Sequence, residues 1–103
     1  MFVERQVVLC KRGRYQELED LVAEWAKKFA FPRAKAFRHY FSYIGQQGRA
    51  FCFEAEFETL DDLQKGWEEW DDMAEDMAPF LEKWRDLIEE SISSELWRVK
   101  HVG

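Results

Sequence analysis

From Phe51 to Glu58 the chain alternates without a slip, with Phe51, Phe53, Ala55 and Phe57 on one side and Cys52, Glu54, Glu56 and Glu58 on the other. A period of two is the pattern of a strand with one buried and one wetted face, and a helix cannot satisfy it. Just upstream stands Gly45-Gln46-Gln47-Gly48, and before that a second strand-like segment over 34–44. Glycine-flanked turns of this kind join neighbouring antiparallel strands, so the centre of the chain is predicted to be a β-hairpin. Any fold must be built around it.

The flanking segments read as helices and two further strands. Phe2 to Lys11 is predicted as a strand that Gly13 breaks. Tyr15, Leu18, Leu21, Val22, Trp25 and Phe29 then recur at helical spacing, with acidic residues early, Lys27 and Lys28 late, and Pro32 as a stop. Thr59 is a good N-cap for a second helix, whose apolar stripe runs from Leu60 through Trp67, Trp70 and Trp84 to Ile88. Pro79 must split that helix, giving predicted segments 60–77 and 79–90 with Pro79 in the first turn of the second. Ser94 to Val102 is the predicted last strand.

Strand, helix, hairpin, helix, strand is the split β-α-β arrangement. A right-handed crossover leaves room for the third strand between the first two. The fold class is therefore α+β, a ferredoxin-like β-α-β-β-α-β domain over 1–103, with antiparallel sheet order 4-1-3-2 and both helices on one face. Parity places Val3, Arg5, Val7 and Leu9 toward the helices, with Phe37, His39, Phe41 and Tyr43. The open face is then predicted to carry Phe2, Val8, Cys10, Tyr40 and Cys52 beside Glu4, Gln6, Arg38, Glu54 and Glu56. Such a mixed face suits a partner sheet better than water, so a homodimer through the sheet face is expected. Glu54 and Glu56 with Arg38 and Arg98 read there as cross-strand charge pairs.

At 103 residues, 47% hydrophobic and 17% aromatic, the chain has the composition of one folded domain with more ring surface than a small core easily hides. Its net charge of −6 disfavours a nucleic-acid role. No apolar run approaches a membrane span, and the opening residues carry no secretory pattern, so the cytoplasm is the expected location. Cys10 and Cys52 match no metal spacing and are expected as reduced, buried thiols.

Three stretches, VERQVVLCKRGRYQELEDLVAEW, FEAEFETLDDLQKGWEEW and FLEKWRDLIEESISSELWRV, together resemble the dimeric α/β-barrel superfamily, in particular its antibiotic-biosynthesis-monooxygenase-like and NIPSNAP-like members. The resemblance implies the ferredoxin-like fold, and a site, where there is one, between the sheet and the long second helix. That superfamily includes cofactor-free quinol oxygenases, haem-degrading enzymes and many proteins without an assigned role. The helix-borne histidine of the haem-degrading branch has no counterpart, since His39 and His101 both fall on predicted strands. No cofactor and no metal site are expected.

The candidate site follows from two ionisable groups on an apolar face. Arg5 and His39 facing the helices should be costly unless paired or wet. Trp67 and Trp70 would roof the same space, with Tyr43 adding a hydroxyl. His39 is the candidate acid or base, and Arg5, Tyr43, Trp67 and Trp70 are the candidate ligand contacts. Against this stands a plainer account, in which His39 bonds to backbone at a strand end and the tryptophans are core. The carboxylates crowding the second helix, from Asp61 to Asp76, read as a solvated face or as attraction for Arg33, Lys35 and Arg38 of another subunit. Three functions fit: a homodimer binding a small aromatic or apolar molecule, a cofactor-free monooxygenase on a phenolic or quinol substrate, or a structural or interaction module without a ligand.

Overall fold

The computed structural model describes residues 1–45 and 48–102, so Gln46 and Gln47 of the expected turn lie outside the described residues. The element order is β1 (Phe2–Cys10), α1 (Tyr15–Lys28), β2 (Ala36–Phe41), β3 (Ala50–Phe57), α2 (Leu60–Asp72), α3 (Ala78–Leu87) and β4 (Ile88–Arg98). The strands form one antiparallel sheet in the order β2-β3-β1-β4, as the sequence predicts. Gly45 and Gly48 both take positive φ, 90° and 67°, and the Gly48 amide donates to the Gly45 carbonyl at 2.8 Å. Only glycine adopts such angles cheaply.

Thr59 caps α2, its Oγ1 accepting from the Asp62 amide at 3.1 Å. The helix stops at Asp72, five residues before the predicted break. No basic residue stands in its last turn, and Asp71, Asp72, Glu75 and Asp76 would all sit against the negative end of the helix dipole. A run of tight turns over 73–77 follows, and it lets Met77 turn inward until it is 1% exposed. The chain re-enters helix with Pro79 in the first turn of α3, where a missing amide costs nothing. Strand β4 then begins at Ile88 with no loop, six residues ahead of the predicted start. Two register shifts, opposite Val7/Val8 and Leu9/Cys10, bend it and mask its alternation. The strand ends at Arg98, so His101 lies beyond it rather than on it.

One parity assignment is reversed. In β1 it is Glu4, Gln6, Val8 and Cys10 that face the helices, while Val3, Arg5, Val7 and Leu9 line the open face. The register fixes this: Arg5 lies opposite Glu54 and Val7 opposite Cys52, and both partners point away from the helices. Cys10, fully buried, packs with Leu18 and Val22 of α1, whereas Cys52 is on the other face, so the two thiols cannot meet. Two apolar clusters fill the space under the helices. One gathers Val8, Cys10, Leu18, Val22, Phe51 and Leu87; the other is centred on Phe31, Ala55 and Phe57 beneath α2. Gly66 brings α2 close over the second cluster, near the Pro32 carbonyl.

Candidate functional site

A cavity of about 190 Å³ lies at the seam between the two clusters. It exists because the helical layer is broken: α1 and α3 cover the first cluster, α2 the second, and the 73–77 turns separate them. Phe51 and Phe53 of β3 form part of its floor, with Gln6 of β1 and His39 of β2. Its roof is indole from all three helices, Trp25, Trp67, Trp70 and Trp84. Phe31 locks the roof, stacking on Trp70 at 4.9 Å and meeting Trp67 edge-on at 5.0 Å. Offset and edge-to-face pairs of this kind add specificity beyond their buried area.

Of the five residues singled out from sequence, the structure brings three together at this cavity: His39, Trp67 and Trp70. Arg5 is not there. It crosses the open face, and its Nε donates to Glu54 Oε1 at 2.9 Å. Tyr43 is not there either, because β2 ends at Phe41 and the Tyr43 side chain is 95% exposed. Two polar residues of β1 stand where Arg5 was expected. Glu4 accepts the Trp67 indole N–H at 2.7 Å and so ties the roof to the floor. Burial pushes the Glu4 carboxyl above its ordinary range, an effect this hydrogen bond partly offsets. The second is Gln6, which sequence parity assigns to the open face and which the register opposite Phe53 places under the helices.

His39 sits in mid-strand, its ring edge-on to Phe37 and to Phe51, each at 5.2 Å. Among the described residues its nitrogens have no hydrogen-bond partner, so the strand-end account of this histidine does not hold. Among the described residues no buried side-chain nitrogen or oxygen is left unpartnered, which means that both ring nitrogens touch open space. Burial pulls its pKa below the ordinary value of 6.5, so the imidazole is neutral at pH 7 and free to accept a proton.

The open face is built around Glu54. Although only 6% exposed, it accepts from Arg5 at 2.9 Å, from Arg38 at 2.9 Å and from the Tyr40 hydroxyl at 2.8 Å. Burial alone would raise its pKa, but these three donors outweigh burial and hold it below the usual carboxylate range. Arg38 also reaches Glu56 at 2.6 Å. Arg5, not the expected Arg98, is therefore the second arginine of the cluster. Arg33 bonds Glu69 of its own α2 at 2.9 Å, so that carboxylate already has an internal cation. Among the described residues no group of three or more histidine, cysteine, aspartate and glutamate side chains could hold a metal ion.

These features define a ferredoxin-like α+β domain with a partly open aromatic cavity between its sheet and its broken helical layer. Among solved structures, the chain is similar to a NIPSNAP family protein from Agrobacterium tumefaciens, at 21% identity over 96% of this chain and 92% of that one, with a TM-score of 0.76. A second NIPSNAP family protein from that organism, with unknown function, is 25% identical over 94% of this chain and 86% of that one, TM-score 0.74. A variant of SnoaB, a cofactor-independent oxygenase from Streptomyces nogalater, is 22% identical over 98% and 92%, TM-score 0.57. The fold is thus the ferredoxin-like fold shared by NIPSNAP and antibiotic-biosynthesis-monooxygenase-like structures. Neither a scan of family models nor a search of curated proteins finds a match. No helix among the described residues is long and apolar enough to cross a membrane.

Proposed function

We propose that this protein binds a small, neutral aromatic molecule in the cavity between sheet and helices, as a homodimer that buries the open sheet face. The observation that carries this reading is an indole-roofed space with a neutral imidazole on its wall that bonds to none of the described residues. An engineered apolar cavity of about 150 Å³ takes up benzene, so a space of about 190 Å³ suits one ring or a fused pair. The cavity also argues against the third function, a module whose interior its own side chains fill. Dimerisation is supported by the half-exposed rings of Tyr40 and Trp97 on the face that no helix covers.

Calorimetric titration with 1-naphthol under argon tests the binding. We expect one site per chain, lost in Ala26→Phe, where the new ring plugs the exposed rim of the cavity without entering the core. Binding that survives the plug would place the ligand elsewhere. Sedimentation showing a monomer at micromolar concentration would count against the dimer.

A second reading is a cofactor-free oxygenase acting on a phenol, supported by the free imidazole and by the oxygenase among the structural relatives. In it His39 takes the phenolic proton, and the electron-rich phenolate gives electrons to O2. One oxygen atom ends as a new ring carbonyl opposite the phenolic carbon. The other leaves as water with the ring and phenol hydrogens. Substrate supplies all four electrons, so phenol plus O2 gives para-quinone plus water. Oxygen uptake with 1-naphthol that His39→Ala abolishes supports this; binding without uptake leaves the first reading.

A further inference from the structure

Resting on that reading of the cavity, we propose that Gln6 is its specificity-determining residue, holding the end of the ligand remote from His39. The site then selects a neutral, flat molecule with a polar atom at each of two opposite ends.

The register carries the argument. His39 lies opposite Phe53, and Phe53 opposite Gln6, so the three form a row across β2, β3 and β1 on the face beneath the helices. Neighbouring strands are about 4.8 Å apart, which sets the two polar positions about 10 Å from each other with the Phe53 ring between them. A flat six-membered ring with polar atoms at opposite positions, and a hydrogen bond of about 2.9 Å at each end, spans a distance on that scale.

The chemistry of Gln6 fits. Its neighbours on the same face are committed: Glu4 holds Trp67, and Val8 is core. The Gln6 amide has no hydrogen-bond partner among the described residues, yet it lines the cavity. Because no buried side-chain nitrogen or oxygen among the described residues lacks a partner, the Gln6 amide reaches open space at the cavity, where a ligand can meet it. Because it both donates and accepts, it can take a hydroxyl or a carbonyl. Among the described residues no charged side chain lines the cavity with it, so a carboxylate entering would give up hydration without gaining a cation.

Titration under argon of the wild-type chain with 1-naphthol, 1,4-dihydroxynaphthalene, 1,2-dihydroxynaphthalene and 1-naphthoate tests this. We expect the 1,4-isomer to bind about three- to tenfold tighter than 1-naphthol, the yield of one neutral hydrogen bond. The 1,2-isomer should gain nothing, and the carboxylate should bind worst. Gln6→Leu should erase the 1,4 preference, bringing 1,4-dihydroxynaphthalene to the affinity of 1-naphthol for the same variant. If 1-naphthol binds but the wild type shows no 1,4 preference, or if the preference survives in Gln6→Leu, the role of Gln6 is overturned and the cavity reading stands. If none of the four binds, the cavity reading falls and this inference with it. The comparison of isomers on the wild type depends on no variant folding.

Discussion

Replacing Gly66 by alanine sets two effects of known sign against each other. In mid-helix, alanine is favoured over glycine by about 1 kcal/mol, so Gly66→Ala should stabilise α2 taken alone. In the folded chain its Cβ would stand 2.6 Å from the Pro32 carbonyl oxygen, 3.1 Å from Phe57 Cε1 and 3.4 Å from Phe31 Cε1. The first distance decides the outcome, because the atom that must yield is backbone and belongs to a proline of fixed φ. Overpacking typically costs about 1–3 kcal/mol, and a backbone clash belongs at the upper end. The net expectation is a loss of about 1–2 kcal/mol after the propensity gain. For a domain of this size that lowers Tm by roughly 5–10 °C. Urea and thermal melts by circular dichroism measure it, with Gln64→Ala on the exposed side of α2 as the control, expected within about 0.5 kcal/mol of wild type. Ligand affinity should weaken as well, since Trp67 and Trp70 ride on α2. A Gly66→Ala chain as stable as wild type, or more so, would refute the close approach of α2 to Pro32.

Three further outcomes are expected. Thr59→Ala should cost about 1 kcal/mol by urea melt, since it removes the cap on the Asp62 amide, and Thr59→Ser should restore most of it. His39 has a folded pKa below its unfolded value, so its contribution is present above about pH 6.5 and lost as pH falls through the folded value. Wild type should therefore lose more stability than His39→Gln between neutral and mildly acidic pH; parallel profiles would contradict the buried, neutral imidazole. The double variant Arg5→Met/Arg38→Met leaves the Glu54 carboxylate with only the Tyr40 hydroxyl. A buried charge stripped of its partners costs about 3–5 kcal/mol, but these arginines are nearly half exposed, so about 2 kcal/mol is expected. Further replacing Glu54 by Leu should recover part of that loss, and a triple variant weaker than the double would count against the account.

Much of the fold was legible because β3 states its parity so clearly. The strand order follows from it, from the Gly45–Gly48 turn and from the handedness of crossovers. Strand β1 was not legible in the same way: Val7-Val8-Leu9-Cys10 is apolar on both faces, so alternation could not say which side meets the helices. The missing signal was electrostatic. Pairing Arg5 with Glu54, whose face was already known, would have reversed β1 and brought Gln6 under the helices. The boundary between α3 and β4 was hidden because Leu87 and Ile88 continue a helical stripe, and because the bulges opposite β1 break the period of β4. His39, Trp67 and Trp70 could be placed from spacing alone. Tyr43 could not, since nothing in its neighbours shows that β2 stops at Phe41.

The indole array in the roof also makes the molecule its own optical probe. Trp25 lies 6.0 Å from Trp70 at an interplanar angle of 23°, and 6.1 Å from Trp84 at 77°. Transition dipoles this close couple, and the sign and strength of the coupling depend on their mutual orientation. The three rings belong to α1, α2 and α3, so a single near-ultraviolet dichroism band reports how all three helices sit against one another. In a compact but loosely packed state the band should vanish while the far-ultraviolet signal of the helices persists.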